Sequence, residues 1–287
     1  METSLPARVY WIGSCIALLV ACGSEDVPAP SITGTGGTTT TTTETGGGGS
    51  AGSEGGGGSG GSTVPADGFC GDGPYVNVTA KLTSFSDNTA VIPGARLTVD
   101  LCPEEAWVTD DLGELSGSMT KGVAHNPKLV AEGFLPSRTG QQLLTADFDA
   151  STGLVAEGLA FLIPGWSADT PTLMAAVSVK KKMPGDPCGE ADGAVFAVVG
   201  HPEATITYYA GTQVPSPDPA LTATGPLGLA EITGLAATGP GEYVELTVSK
   251  PTCADVSFVS YPFTGKFRLE NGVLTLAGAF MPPAAAP

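Results

Sequence analysis

Few groups in this 287-residue chain could carry chemistry: two histidines, six cysteines, and acidic side chains that outnumber basic ones 29 to 12. His125 begins His-Asn-Pro-Lys and His201 begins His-Pro-Glu, and neither stands at ligand spacing from a cysteine or the other histidine. Zinc-assisted hydrolysis therefore lacks its ligand set, and no nucleophile and base pair takes its place. The run Asp147-Phe-Asp149-Ala-Ser151 has the alternate-oxygen spacing that opens a calcium loop. Its twelfth position is Gly158 rather than a bidentate glutamate, so a turn before a helix is expected. Asp186, Glu190 and Asp192 crowd a glycine-rich loop around Cys188 and read as solvated charge. Trp107 and Trp166 would form a sugar-stacking pair if exposed, although core packing is the default for both. No catalytic residue, metal site or cofactor is expected.

Charge excludes further classes. The net charge of -17 opposes nucleic acid and anionic lipid headgroups, and an aromatic content of 7% gives no base-stacking platform. Five acidic residues and Arg8 precede residue 65, so the remainder carries -13. The acidity belongs to the folded surface rather than to a tail. The only basic run, Lys180 to Lys182, reads as a strand-end solubility device.

Residues 1–21 carry Arg8 and an apolar run from Val9 to Val20, too short to span a bilayer and typical of a secretory signal. Leu19-Val20-Ala21-Cys22 resembles the lipobox of bacterial lipoproteins. That resemblance implies a diacylglyceryl group on the Cys22 thiol and a further acyl chain on its amine, enough for stable anchoring. Gly23 in place of aspartate favours an outer-membrane destination. From Thr33 to Thr63 every residue is Gly, Thr, Ser, Ala or Glu, which offers no apolar area to offset the entropy of ordering. Residues 22–66 are thus expected to be a disordered tether with a root-mean-square reach of about 35 Å.

With Cys15 in the signal and Cys22 lipidated, Cys70, Cys102, Cys188 and Cys253 remain for an oxidising compartment. Three pairings are open. One bridge in each half, Cys70 with Cys102 and Cys188 with Cys253, is expected.

The positioning elements read as short strands. In Tyr75 to Ser84, Val76, Val78, Ala80 and Leu82 alternate with polar residues, the signature of a half-buried strand. Ala95 to Leu101 repeats the pattern with Leu97, Val99 and Leu101 inward. Further strands are expected at Leu173–Val179, Ala194–Val199, Ala204–Tyr209, Tyr243–Val248 and Val256–Tyr261. Asn271-Gly272 predicts a hairpin between Lys266–Glu270 and Val273–Ala277. Val155, Leu159 and Leu162 fall on one helical face with Ile163 beside them. They predict a short helix between Leu154 and Ile163, capped by Thr152 and stopped by Pro164-Gly165, with a buried strand as the competing reading.

Three segments, Ile92-Pro-Gly-Ala-Arg-Leu97, Thr109-Asp-Asp-Leu-Gly113 and Glu132-Gly-Phe-Leu-Pro136, resemble the pattern of carboxypeptidase regulatory-like domains. The stretch Thr222-Ala-Thr-Gly-Pro-Leu-Gly228 echoes it in the second half. The resemblance implies transthyretin-like β-sandwiches that are non-catalytic accessories, binding proteins or carbohydrate or spacing modules on a cell surface.

The sequence thus predicts an all-β chain. Its parts are a signal (1–21), a linker (22–66), a first Ig-like or transthyretin-like antiparallel sandwich (67–150), a connector with a short helix (151–171) and a second sandwich (172–287). The expected function is a membrane-anchored, non-enzymatic surface or periplasmic module. It would meet the membrane through lipid on Cys22 and bind protein or carbohydrate; a carbohydrate-binding module and a calcium-dependent adhesin are the alternatives.

Overall fold

The structure, a computed structural model, describes residues 73–179, 188–212, 214–251, 253, 256–259 and 261–281. The signal, the tether, Cys22, Cys70, Lys180 to Lys182 and Asp186 lie outside the described residues.

The chain is all-β. The first half holds β1 (Tyr75–Ser84), β2 (Asp87–Val91), β3 (Arg96–Val99), β4 (Cys102–Val108), β5 (Glu114–Thr120), β6 (Ala124–His125), β7 (Pro127–Val130), β8 (Ser137–Thr139), β9 (Gln142–Leu143) and β10 (Phe148–Leu154). The second holds β11 (Thr172–Val179), β12 (Val195–Val198), β13 (Thr205–Ala210), β14 (Ser216–Pro217), β15 (Leu229–Thr233), β16 (Val244–Ser249), β17 (Lys266–Phe267) and β18 (Leu274–Met281). Each half is sandwich-like and has its own main core, one drawn from residues 76–154 and the other from residues 173–279. Strand β1 spans the expected residues, and Val76, Val78, Ala80 and Leu82 are all buried, because alternate side chains of a strand point to opposite faces.

Three ladders depart from the antiparallel expectation. β10 runs parallel to β1, β18 parallel to β11, and β18 also parallel to β8. Parallel neighbours are joined by long crossovers, and local alternation of side chains carries no information about a neighbour's direction. Strand β18 thereby joins the halves in one nine-stranded sheet, in the order β14-β13-β15-β11-β18-β8-β7-β3-β4.

Four local expectations are corrected. The Asn271-Gly272 turn forms, with Gly272 at φ +67° and Val273 N–H donating to Glu270 O at 3.2 Å. Its flanks do not pair with each other: β17 joins β16 and β18 joins β11 and β8. A turn signal reports local dihedrals only, and here the burial of Leu269 and Leu274 in separate clusters sends the two flanks to different sheets. Val256–Tyr261 shows no strand among its described residues, although Phe258 is buried in the second core. Leu101 is 54% exposed because β3 ends at Val99 and the chain turns there. The predicted connector helix is a 3-10 helix at Glu157–Leu162. Thr152 belongs to β10, and Ala156 at the helix start makes no side-chain cap. The apolar residues that suggested an α-helix instead pin its two ends, with Val155 and Ile163 buried against Leu135 and Leu274.

The halves repeat one architecture at atomic detail. In the first, Thr109 Oγ1 donates to Ile92 O (2.7 Å) and accepts from Ala95 N–H (2.9 Å), while Thr109 N–H donates to Ala95 O (2.9 Å). In the second, Thr224 Oγ1 donates to Ala191 O (2.7 Å) and accepts from Ala194 N–H (2.9 Å), while Thr224 N–H donates to Ala194 O (2.8 Å). Four residues after each threonine comes a left-handed glycine, Gly113 at φ +72° or Gly228 at φ +67°. Its carbonyl accepts from the N–H of Leu82 or Val177 respectively, at 2.8 and 2.9 Å. A Cβ on either glycine would lie 2.7 or 2.8 Å from the carbonyl oxygen of that same residue, so only glycine fits. β1, β5 and β10 therefore correspond to β11, β15 and β18.

Candidate functional site

The repeat equivalence decides where to look, because the two units use one sheet face differently. In the first unit β1 is flanked by β5 and β10, and their outward side chains line a groove of about 420 Å³. Thr79 and Lys81 come from β1, Glu114 and Ser116 from β5, and Asp149 and Ser151 from β10, with Asp110 at the end of the groove. The register places Lys81 opposite Glu114, where Nζ lies 3.0 Å from Oε1, and Thr79 beside Asp149, whose Oδ1 accepts from Thr79 Oγ1 at 2.8 Å. Asp110 is held still by its own turn, its Oδ1 accepting the N–H groups of Leu112 and Glu114 at 2.9 Å each. A second recess of about 150 Å³ shares Lys81 and Ser151 and adds Thr83 and Asn88. The lining is hydroxyls and three carboxylates against one ammonium.

In the second unit all but one of the positions of Thr79, Lys81, Glu114, Ser116 and Asp149 are apolar. Met174 and Ala176 replace Thr79 and Lys81, Leu229 replaces Glu114, and Leu276 replaces Asp149. A segment of the chain itself, Val155 with Leu162 and Ile163, lies over this face and leaves an apolar cavity of about 40 Å³. At the position of Ser116 stands Glu231, buried. Its Oε1 accepts Gly165 N–H at 2.8 Å and its Oε2 lies 3.1 Å from the hydroxyl of buried Tyr209, itself 3.2 Å from Leu162 O. The Tyr209 hydroxyl donates to Glu231 Oε2 and to Leu162 O, sharing its one hydrogen between the two acceptors. Burial pushes the Glu231 carboxyl up, against the lowering effect of the hydrogen bonds it accepts from Gly165 N–H and Tyr209. Burial and the neighbouring Glu231 also raise the Tyr209 hydroxyl.

Between the units lies a network of ions. Arg138 on β8, 3% exposed, reaches Asp100 and Glu270 at 2.8 Å each, Arg268 pairs with Asp100, and Lys128 pairs with Glu270. Because Asp100, Lys128 and Arg138 belong to the first unit and Arg268 and Glu270 to the second, these pairs fix the two units against each other. Although burial opposes it, the Lys128 and Arg138 hydrogen bonds hold Glu270 below its ordinary range.

The other residues singled out by sequence are dispersed. Asp147 immediately precedes β10 and Asp149 is its second residue. Asp147 accepts from Asn77 N and Nδ2 at 2.8 and 3.2 Å, an arrangement that lowers its pKa, and Asp149 accepts from Thr79. The calcium-loop geometry is thereby replaced by strand pairing, and no group of three or more metal-capable side chains occurs among the described residues. His125 is buried with Nε2 3.0 Å from Thr120 O, and burial lowers its pKa so that it stays neutral. His201 pairs with Glu203 at 2.8 Å. Trp107 is 1% exposed and packs so closely on Gly117 that a Cβ there would come within 2.7 Å of its ring. Trp166 is half-buried in the cluster under the connector. The two tryptophans therefore form no exposed pair. Cys188 and Cys253 are disulfide-bonded with Cα atoms 5.4 Å apart. Cys102 is also in a disulfide, and its expected partner Cys70 lies outside the described residues.

Sequence reasoning missed the groove because none of its residues is unusual for the outer face of a strand. The available signal was the repeated Gly-Ala followed by Thr-x-x-Leu-Gly at residues 94–95 with 109–112–113 and 193–194 with 224–227–228, which aligns the two faces.

No family model and no curated protein matches the sequence. Among solved structures, the chain is similar to the TIE protein of Bacillus anthracis, at 8% identity and TM-score 0.24, over 74% of this chain and 34% of that one. A streptococcal ancillary pilin matches at 12% identity and TM-score 0.22, over 73% of this chain and 63% of that one. The minor pilin of Streptococcus agalactiae matches at 11% identity and TM-score 0.22, over 74% and 98% respectively. The chain thus spans about a third of the length of the first of these proteins and under two thirds of the second.

Proposed function

We propose that the protein is a lipid-anchored, non-enzymatic interaction module of a bacterial envelope, held away from the membrane by its tether and engaging a partner through the polar face of its first unit. The observation that carries this reading is the groove of about 420 Å³ across β1, β5 and β10, uncovered among the described residues, set against the covered face in the second unit. The anchor rests on Cys22 and the reach on the Gly/Thr/Ser segment that follows it. Residues positioned for hydrolysis are not part of this reading. The groove's carboxylates are engaged by backbone N–H groups, Thr79 and Lys81, which suits recognition rather than proton transfer.

A photo-crosslinking residue at position 116 of the full chain, in living cells, tests it. A covalent adduct with another envelope component is expected from position 116 and none from position 104 on β4. Absence of any adduct from position 116 would remove the groove from the proposal. Labelled palmitate should enter the wild-type chain and be lost in Cys22→Ser, and its retention would refute the anchor.

A further inference from the structure

The second unit shows what this sheet face is built to hold. There the occupant is a peptide: Val155 to Gly165 crosses β11, β15 and β18, with apolar side chains on apolar lining and one carboxyl, Glu231, receiving a backbone N–H of the crossing segment. The first unit presents the same three strands in the same register, but with hydroxyl and acidic lining and no crossing segment among the described residues.

From this difference we infer that the groove of the first unit docks a basic peptide segment of a partner protein, laid across β1, β5 and β10 as the connector is laid across β11, β15 and β18. The inference rests on the proposed interaction role and names its ligand. Backbone N–H groups of the incoming segment meet Ser116 and Ser151, and its lysine or arginine side chains meet Asp110, Glu114 and Asp149. Lys81 can leave Glu114 at little cost, since both side chains of this ion pair are about half exposed and screened by solvent. The surrounding charge of -13 on residues 65–287 raises the local concentration of a cationic ligand and disfavours an acidic one.

The test uses the full chain and a fluorescein-labelled nonapeptide of alternating lysine and serine, with its glutamate and serine counterpart as control, read by anisotropy. At about 20 mM salt the lysine peptide binds about tenfold or more tightly than the glutamate peptide, and binding weakens as salt rises. Glu114→Lys with Asp149→Lys weakens it by about tenfold or more, while Glu104→Lys with Glu105→Lys, the same charge change on β4, leaves it within about threefold. Equal losses in the two double variants would show general charge attraction and overturn the proposal. So would undiminished binding in the groove variant with an unchanged melting temperature. A position-116 crosslink to the chain's own residues before Gly73 overturns it too, because the groove would then be filled internally. If position 116 crosslinks an envelope partner while the lysine peptide fails to bind, the ligand class falls and the interaction role stands.

Discussion

Two copies of one three-strand face, built to the same register, have opposite fates in this molecule. Around β1 the outward positions are Thr79, Lys81, Glu114 and Asp149, and the face is a polar groove; around β11 they are Met174, Ala176, Leu229 and Leu276, and the connector lies across them. The scaffold beneath is shared down to the threonine bonded to each Gly-Ala corner and the left-handed glycine four residues later. The backbone therefore does not decide whether such a face is surface or core. A handful of side chains does, because burying apolar area contributes about 25 cal/mol per Å² while burying Lys81, Glu114 and Asp149 without full pairing would cost several kcal/mol.

The shared scaffold is the easiest part of the comparison to break. Gly113→Ala and Gly228→Ala each place a Cβ against backbone at positive φ, and each should destabilise its unit by about 3 kcal/mol in urea titrations. A loss at one position with none at the other would end the claim of equivalence. Thr109→Val and Thr224→Val keep the shape and remove one buried hydroxyl that both donates and accepts. About 2 kcal/mol should be lost at each site, and the two losses should agree within about 1 kcal/mol.

Glu231 sharpens the difference between the faces. The folded state holds its proton more tightly than the unfolded chain does, so its contribution is fully present below the ordinary carboxylate range. That contribution is lost as pH rises through the elevated folded pKa, with a slope of at most about 1.4 kcal/mol per pH unit. The groups that face it are the Tyr209 hydroxyl from β13 and the connector backbone at Gly165, with Met174 of β11 and Thr207 of β13 beside it in register. Glu231→Gln should flatten this limb of the stability profile. The corresponding change on the first face, Ser116→Ala, should leave the profile's shape unaltered. A Glu231→Gln protein with the wild-type slope would show that folding does not raise the Glu231 carboxyl.

The smallest effect belongs to the groove. Replacing Lys81 and Glu114 together by alanine removes an exposed ion pair and should change stability by less than about 0.5 kcal/mol. Its consequence should appear instead in the salt dependence of peptide binding. A large stability loss would mean that the groove's lining supports the fold, and the two faces would then be less different than their side chains suggest.

Much of the fold was legible because its signals are local. Strand β1 followed from alternation alone, and the Cys188–Cys253 bridge agreed with one bridge being expected in each half. The segments Ile92–Leu97 and Thr109–Gly113 drew attention by composition, and the structure gives them a physical role: the Pro-Gly-Ala corner and the Thr-Asp turn are bonded to each other through Thr109. The failures were long-range. Asn271-Gly272 dictated a turn but not which strands its flanks would pair with, and the apolar spacing of Val155, Leu159 and Leu162 indicated the short connector helix but not its 3-10 form or the sheet face it lies across. Trp107 illustrates the same limit, since nothing in its neighbours along the chain says that Gly117 leaves room for its ring.

By itself the sequence determined the all-β class, the face of β1 that turns inward, the glycines that only a left-handed turn requires, and the acidic character of the surface. These depend on side-chain period, backbone sterics and charge, all of which act over a few residues or over the whole composition. Only the tertiary structure decided that β18 would join both units in one sheet, that Arg138 would bridge Asp100 and Glu270, and that the connector would cover one of two equivalent faces while no described segment covers the other. Those outcomes depend on which surfaces meet, and the pairing of residues far apart in the chain is not encoded in any local pattern.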